Sequence, residues 1–565
     1  MNTYNILSND YQDLKNILIK NRMKKYSYKD YINNDYDLLK DLYKLSDIDK
    51  ASDIIYNHIL KNKNILICSD LDCDGMTSAM TLYLFLKDVF KVKEDNIKVI
   101  INKRLHGNGF NPILVNRVKD LHKEFKIDLM ITSDHGSVNE KEYQDLKNTC
   151  GFDIVVTDHH TVQYDIYPNT ADAFVNPLRK DSEYFTEISG CTVAFLVMVY
   201  TYHKHIKKAN KKHYYHIFPY PAVSIISDVM SCELPLNRYI YRIGMNYINR
   251  LQNINFMSYR NILDIPFIFN HNDIKMKLAP FINSANRTDI EQTGYDLLSS
   301  TNYSLSKSLA IELDKRNDIK KKEVREISNR ILDNISDLEK DGGYSCILDT
   351  KTSVNGVVAA RIGEKLQVPI ICFSGNDVLS GSCRGIIDGF DLLTCLDKIH
   401  KQDDSIITKY GGHKSACGCS IKRDKFDLFK KYFYTISKEM LSKLNTDKTI
   451  NIDCELPISK VTPDLINIIR SVGPYGKDWE EPIFISKAKF KYVVPFGNLA
   501  RVTFYKNDKS SLSGFYNIPS GITDIKEYLV RNEEYKIVYN IDIVSYNGSY
   551  DYSLNIIDII KDENE

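Results

Sequence analysis

Between Ile65 and Val175, short apolar runs alternate with stretches in which apolar residues recur every three or four positions. The runs Ile65 to Cys68, Ile97 to Ile101, Leu129 to Thr132, Ile154 to Thr157 and Ala173 to Val175 read as buried strands. Met76 to Val89, Pro112 to His122 and Glu140 to Lys147 read as the helices between them. Strands separated by helices imply a parallel sheet wound through right-handed crossovers. Upstream, a helix over 46–58 with Ser46 as its cap buries Ile48, Ala51, Ile54 and Ile55 on one face. The Tyr-, Lys- and Asp-rich residues 1–44 predict a helical lead-in.

Farther along, 304–338 is strongly charged with regular apolar positions at Leu309, Leu313, Val324, Ile327 and Ile331, the pattern of one long helix with a buried stripe. A second α/β unit follows, with strands at Ser345 to Leu348 and Pro369 to Phe373 around a helix at Val357 to Leu366. The last hundred residues are strand-like: Lys489 to Val494, Ala500 to Tyr505, Ser513 to Tyr516, Tyr535 to Val544 and Tyr552 to Ile560, with a hairpin at Asn547-Gly548. Five-stranded barrels of this kind bind single strands by aromatic stacking beside a basic groove. Phe504, Tyr505, Phe515, Tyr516 and Tyr546 are the aromatic candidates, at least half of them expected in the core.

Composition narrows the class. The 565 residues, 43% hydrophobic and 26% charged, fit a globular chain, one of roughly three or four domains. A net charge of +1 means that any nucleic-acid contact comes from local basic patches. The 12 cysteines form no CxxC pair and no zinc-like spacing; with Cys417 and Cys419 as interior thiols, a reduced, cytoplasmic protein is expected. The amino terminus lacks a signal-peptide core and no run of about 18 apolar residues occurs, so no membrane partner is expected.

The chemistry gathers where the strands end. The first runs into Ser69-Asp70-Leu71-Asp72-Cys73-Asp74-Gly75, the third into Ser133-Asp134-His135-Gly136, and the fourth into Asp158-His159-His160. In an open parallel sheet the carboxyl ends of the strands share one edge, where ligands bind. Carboxylates so concentrated need a cation, and an oxygen-rich set suits Mg2+ or Mn2+ better than zinc. Asp228 closes the apolar run Ala222 to Ser227, so it is either buried and paired or metal-bound. In the second α/β unit, Ser382-Cys383-Arg384 and Gly411-Gly412-His413 combine backbone able to approach a phosphate with charged donors.

The Asp70-to-Gly75, Ser133-to-Gly136, Thr157-to-His160 and Ser227-Asp228-Val229 segments resemble the four motifs of the DHH phosphoesterase superfamily. Within it, Val175-Asn176-Pro177, Ser189 to Phe195, Asn237-Arg238 and Leu278 to Arg287 are similar to blocks of the RecJ single-stranded-DNA exonucleases, with Phe281 and Asn286 departing from that pattern. Gly411-Gly412-His413 resembles the DHH-associated substrate-binding domain, and Ser471 to Phe484 the entry to the RecJ OB domain. The implied architecture is α/β: lead-in 1–44, parallel-sheet DHH domain 45–260, motif segment and long connector helix 261–340, second α/β DHH-associated domain 341–445, and carboxyl-terminal OB-type β-barrel 446–565.

The resemblance further implies two divalent cations, Mn2+ or Mg2+, bridged by Asp134, with Asp70 and Asp72 on separate ions and His159 and Asp228 completing the set. Asp74 is a ligand or an orienter of its neighbours; Asp158 and His160 orient the site and contact phosphate. Arg104, Ser382 and Arg384 hold a 5′ phosphate, while Asn283, Arg287, Gly411, Gly412 and His413 hold the cleaved phosphate or its neighbours. The implied activity is 5′-to-3′ degradation of single-stranded DNA, or RNA, to 5′-mononucleotides in repair, recombination or replication, by a monomer assisted by a helicase or single-strand-binding protein. Two competing readings share these motifs: a DHH phosphodiesterase for short RNA or cyclic dinucleotides, and a non-catalytic replication scaffold.

Overall fold

The computed structural model describes the chain except residues 1–2, 33–35, 104–108, 163–166, 251–255, 257, 259, 261, 264–268, 285–292, 336–341, 349–353, 413, 445–448, 498, 508, 520–521, 523, 547–548 and 562–565. The lead-in is not wholly helical. It opens with strand β1 (Thr3–Ile6), before helix α1 (Leu14–Arg22). After a short helix at Tyr28–Ile32, helix α2 (Ile48–Leu60) is preceded not by a Ser46 cap but by Asp47 in the left-handed region, φ 60°. The Asp47 side chain makes no cap bond. It accepts instead from Phe174 N and Arg179 Nη1, because tying the helix start to the sheet outweighs a local cap.

Then come β2 (Ile65–Ser69), α3 (Cys73–Leu84), β3 (Ile97–Ile101), α4 (Pro112–Phe125), β4 (Leu129–Ser133), α5 (Glu140–Cys150), β5 (Asp153–Thr157) and β6 (Ala173–Val175). All pairings among these strands are parallel, in the order β3-β2-β4-β5-β6. Every residue of β2 and β4 is buried, as expected of central strands covered on both faces. Leu66, Cys68, Met130, Ile154 and Val156 pack against Leu114 and Val118 of α4 and Leu146 of α5.

Helices α6 (Gly190–His205), α7 (Pro219–Ser227) and α8 (Pro235–Asn249) follow. The charged stretch forms α9 (Tyr303–Leu332), whose Val324 and Ile327 pack into the second α/β unit. That unit contains β7 (Tyr344–Ile347), α10 (Asn355–Leu366), β8 (Ile370–Ser374), β9 (Val378–Arg384), α11 (Leu392–Gln402), β10 (Ile407–Gly412), β11 (Ala416–Lys422) and α12 (Phe426–Leu441). Its sheet order is β10-β11-β9-β8-β7.

The carboxyl-terminal part has β12 (Thr449–Ile452), β13 (Cys454–Glu455), α13 (Pro463–Val472), β14 (Phe484–Phe496), β15 (Leu499–Tyr505), β16 (Ser511–Asn517), β17 (Glu534–Tyr546) and β18 (Ser549–Lys561). The order β14-β15-β16-β18-β17, with β17 returning to β14, closes a five-stranded barrel. Phe504 and Tyr516 are core residues, whereas Phe515 on the neighbouring register is 41% exposed. The Asn547-Gly548 turn and the Tyr546 side chain lie outside the described residues.

The chain forms two compact units. One collects residues 1–42, 187–279 and 447–565; the other collects 43–186 and 280–446. In the first, β1 pairs in parallel with β12. Among the described residues no helix is long and apolar enough to cross a membrane, and all 12 cysteines are free thiols.

Candidate metal centre

The parallel register aligns Ser69, Ser133, Thr157 and Val175 at the ends of β2, β4, β5 and β6. The ladder runs one residue further: Asn102 N donates to Ser69 O, Asp70 N to Ser133 O, Asp134 N to Thr157 O and Asp158 N to Val175 O. Residues Asn102, Asp70, Asp134 and Asp158 therefore sit in one row along the carboxyl edge. Fixed backbone hydrogen bonds, not loop conformation, set their spacing.

Beside that row α3 begins. Asp72 caps it, its Oδ1 accepting from Gly75 N at 3.1 Å. A Cβ on Gly75 would overlap the Asp70 carbonyl, so glycine lets the first helical turn close onto the strand end. The Ser69 hydroxyl donates to Gly75 O at 2.6 Å and lies 2.8 Å from Ser133 Oγ, locking turn to strand. Asn283 Oδ1 accepts from Cys73 N at 2.7 Å, fixing the helix start from the 280–284 segment. Phe281, one of the two departures from the RecJ pattern, is fully buried; the other, Asn286, lies outside the described residues.

Among the described residues of this compact unit, two groups of ligand atoms each lie within 4.8 Å of one another: Asp70, Asp72 and Asp134, and Asp134, His159 and His160. Asp134 belongs to both. His159 Nε2 lies 3.3 Å from Asp134 Oδ1 and 3.6 Å from Asp74 Oδ2, and Asp74, Asp134 and His159 are all buried. Carboxylates packed this closely repel unless a cation or proton intervenes. The donor set, mainly carboxylate oxygen with one or two imidazole nitrogens, fits Mn2+ or Mg2+.

Asp158 has a different task. Its Oδ1 accepts from His159 N, His160 N and His160 Nδ1, and its Oδ2 from Ser137 N and Ser137 Oγ. Burial alone would raise this carboxyl; His160, ahead of His159 and Ser137, reverses the effect and holds it well below the usual carboxylate range. The bond at 2.8 Å from His160 Nδ1 fixes the orientation of that imidazole, which is 43% exposed and so remains within reach of a substrate.

The remaining predicted residues belong to other segments of the chain. Ser382 and Arg384 occupy β9, a strand rather than a phosphate loop, and Arg384 Nη1 donates to Cys383 O. Gly411 and Gly412 end β10; Gly412 has φ 133°, and its hairpin approaches so closely that a Cβ would come within 2.7 Å of Cys417 Cα. Asp228 follows α7 in the other compact unit. Arg104, Arg287 and His413 lie outside the described residues.

Sequence models of the DHH family N-terminal domain, the DHHA1 domain and the RecJ OB domain match residues 64–218, 342–439 and 452–558, in that order. The chain thus carries DHH, DHHA1 and RecJ OB domains. It is 27% identical over 466 residues to the single-stranded-DNA-specific exonuclease RecJ of Salmonella typhimurium, covering 78% of both chains. A putative single-strand DNA-specific exonuclease of Bacillus phage SPbeta is 23% identical over 496 residues, covering 80% of this chain and 79% of that one. The crystal structure of Thermus thermophilus RecJ in complex with Mn2+ superposes with a TM-score of 0.78 at 19% identity, covering 100% of this chain and 80% of that one. The DHH, DHHA1 and barrel regions thus share a RecJ-like fold.

Three further residues support this site; Ser137 among them carries no obvious sequence signal, whereas Asn176 lies in the Val175-Asn176-Pro177 block. Ser137 clamps Asp158, Asn176 Nδ2 donates to Ser137 Oγ and to His160 O, and Asn102 Nδ2 donates to Gly109 O at the end of β3. Each lies within a few residues of a strand end on the same edge, and for Ser137 only that position could have marked it.

Proposed function

We propose that this protein is a metal-dependent exonuclease that degrades single-stranded DNA from its 5′ end to 5′-mononucleotides. The observation that carries the proposal is the membership of Asp134 in two ligand groups, with Asp70 and Asp72 on one side and His159 and His160 on the other. That arrangement supports two divalent cations, Mn2+ or Mg2+, bridged by Asp134. Asp228 would complete the set, as its motif implies. When bound, such ions lower the pKa of a coordinated water and neutralise charge on the scissile phosphate.

The protein's own contribution is orientation. The strand-end row fixes Asp70 and Asp134, the α3 cap fixes Asp72, and Asp158 presents the exposed edge of His160 to the phosphate. Ser382 and Arg384, with Arg104, would hold the terminal 5′ phosphate, and Asn283, Arg287, Gly411, Gly412 and His413 the cleaved one. The barrel supplies stacking surfaces for unpaired bases. Similarity to RecJ exonucleases across DHH, DHHA1 and barrel regions favours a long single strand over a dinucleotide, and the intact ligand set favours an enzyme over a scaffold.

Digestion of 5′- and 3′-labelled single and double strands with Mn2+ tests the reading. Mononucleotide release from the 5′ end of single strands is expected, abolished by EDTA and reduced about 100- to 1,000-fold in Asp134→Asn. Faster turnover of a dinucleotide than of a long 5′-phosphorylated strand would replace the exonuclease with a small-substrate phosphodiesterase. Inertness of pure protein whatever the metal would leave the scaffold.

A further inference from the structure

The unit made of residues 1–42, 187–279 and 447–565 contains a cavity of about 730 Å3, a size typical of small-molecule sites. It shares no residue with the carboxylate cluster. Arg238 and Arg242 reach it from α8, Arg470 from α13 and Lys15 from α1. Two carboxylates, Glu481 and Asp542, also line it. Glu481 is already engaged, its Oε1 2.8 Å from His271 Nε2 and 2.7 Å from Asn272 Nδ2. Among the described residues, four cationic side chains and two carboxylates thus line this partly enclosed space.

Arg238 is 2% exposed. Its guanidinium donates to the carbonyls of Cys232, Val472 and Gly473 and lies 4.0 Å above the Trp479 ring. None of these partners carries a negative charge, and among the described residues its Nε has no hydrogen-bond partner. Burial first, and Arg242 second, push Arg238 down to about 9. Arg242, one helical turn from Arg238 on α8, and Arg470 of α13 line the same cavity, and guanidinium forks of this kind bind phosphate oxygens bidentately. The same cavity is lined by the rings of Tyr31, Tyr241 and Phe269. Cationic forks and aromatic walls in one pocket are complementary to a phosphate joined to a planar base.

We propose that this cavity binds a nucleotide, its phosphate between Arg242 and Arg470 and its base against the aromatic wall. The ligand is either a free nucleotide or one residue of a bound strand; the chemistry is the same, and the experiment separates the sources. Equilibrium dialysis of the full chain in EDTA, with labelled dTMP, ATP and a (dT)6 strand as probes, reads binding without metal or turnover. It therefore stands or falls independently of the nuclease reading.

Two variants test the cavity: Arg242→Gln with Arg470→Gln, and Asn246→Trp. Asn246 is an exposed lining residue on α8, so an indole there fills the pocket without entering the core. Near-UV circular dichroism verifies that each variant is folded. At least one probe is expected to bind wild type and Asp134→Asn alike, and to bind both cavity variants at least tenfold more weakly. Weakened dTMP or ATP identifies a free nucleotide; weakening of (dT)6 alone identifies a strand residue. Undiminished binding by either folded variant, binding lost in Asp134→Asn, or no binding of any probe to wild type overturns the proposal.

Discussion

Asp134 is held in an unusual backbone state, with φ 61°. Asp and Asn tolerate that left-handed region better than most residues, whereas a substitution such as Ala costs about 1 kcal/mol or more there. Asn at this position therefore removes the charge with the backbone unchanged, which makes Asp134→Asn the cleaner probe. Its neighbour His135 illustrates how little a motif letter says about role. His135 is buried, its ring stacks on Phe110 at 5.6 Å, and its Nε2 bonds Cys68 O at 3.1 Å. Burial pushes the imidazole down to about 4, against the opposing pull of Asp158 and of the Cys68 carbonyl. Because the folded value lies below the unfolded one, stability is complete above about pH 6.5 and is lost as pH falls towards 4, by about 3 kcal/mol. In metal-free protein, urea midpoints between pH 7 and 4 should fall more steeply for wild type than for His135→Gln. Parallel curves would refute the assignment.

At the scale of elements, β9 and α10 meet closely, Asn355 Nδ2 donating to Ser380 O at 3.2 Å. A Cβ on Gly356 of α10 would stand 2.6 Å from Arg384 Nη2 on β9, so glycine leaves the space that the guanidinium uses. Gly356→Ala should move the far end of a flexible side chain while adding helix propensity of about 1 kcal/mol. The expected result is an unchanged or slightly raised melting temperature together with weaker binding of a 5′-phosphorylated strand, comparable in size to Arg384→Ala. Unaltered affinity would show that Arg384 does not hold the strand. The β2-to-β6 sheet was legible in the sequence because its strands are buried on both faces and so read as unbroken apolar runs ended by acids. The lead-in was less legible: β1 owes its strand conformation to pairing with β12, a partner so distant along the chain that local propensity cannot register it.

Across the whole molecule, distant segments are tied by charge. Arg22 and Asp453 form a buried bidentate pair, Nη1 to Oδ1 at 2.7 Å and Nη2 to Oδ2 at 2.8 Å, and Asp453 also accepts from Ile483 N. Arg22 Nε donates to Glu480 O, so a single side chain joins α1 to two places in the carboxyl-terminal part. Removing one partner strands a charge in the interior, and Arg22→Ala should cost about 3 to 5 kcal/mol. Denaturant unfolding reads this directly; a loss below about 1 kcal/mol would mean that water reaches Asp453 and the pair is not a staple. The lead-in is thereby part of the fold of its unit, a role that its polar composition did not announce.

The order of strands and helices, the acids that end the strands, the long charged helix and the closing run of barrel strands follow from periodicity and residue type, because burial on one or two faces writes itself into local sequence. Tertiary structure alone decided which oxygens of those acids face one another, that Asp158 is engaged by Ser137 and His160, that β9 is a strand under Arg384, and that arginines from α8 and α13 surround one cavity. Those outcomes depend on register and on packing between remote segments. Both are fixed by many weak contacts acting together, and no short window of sequence contains them.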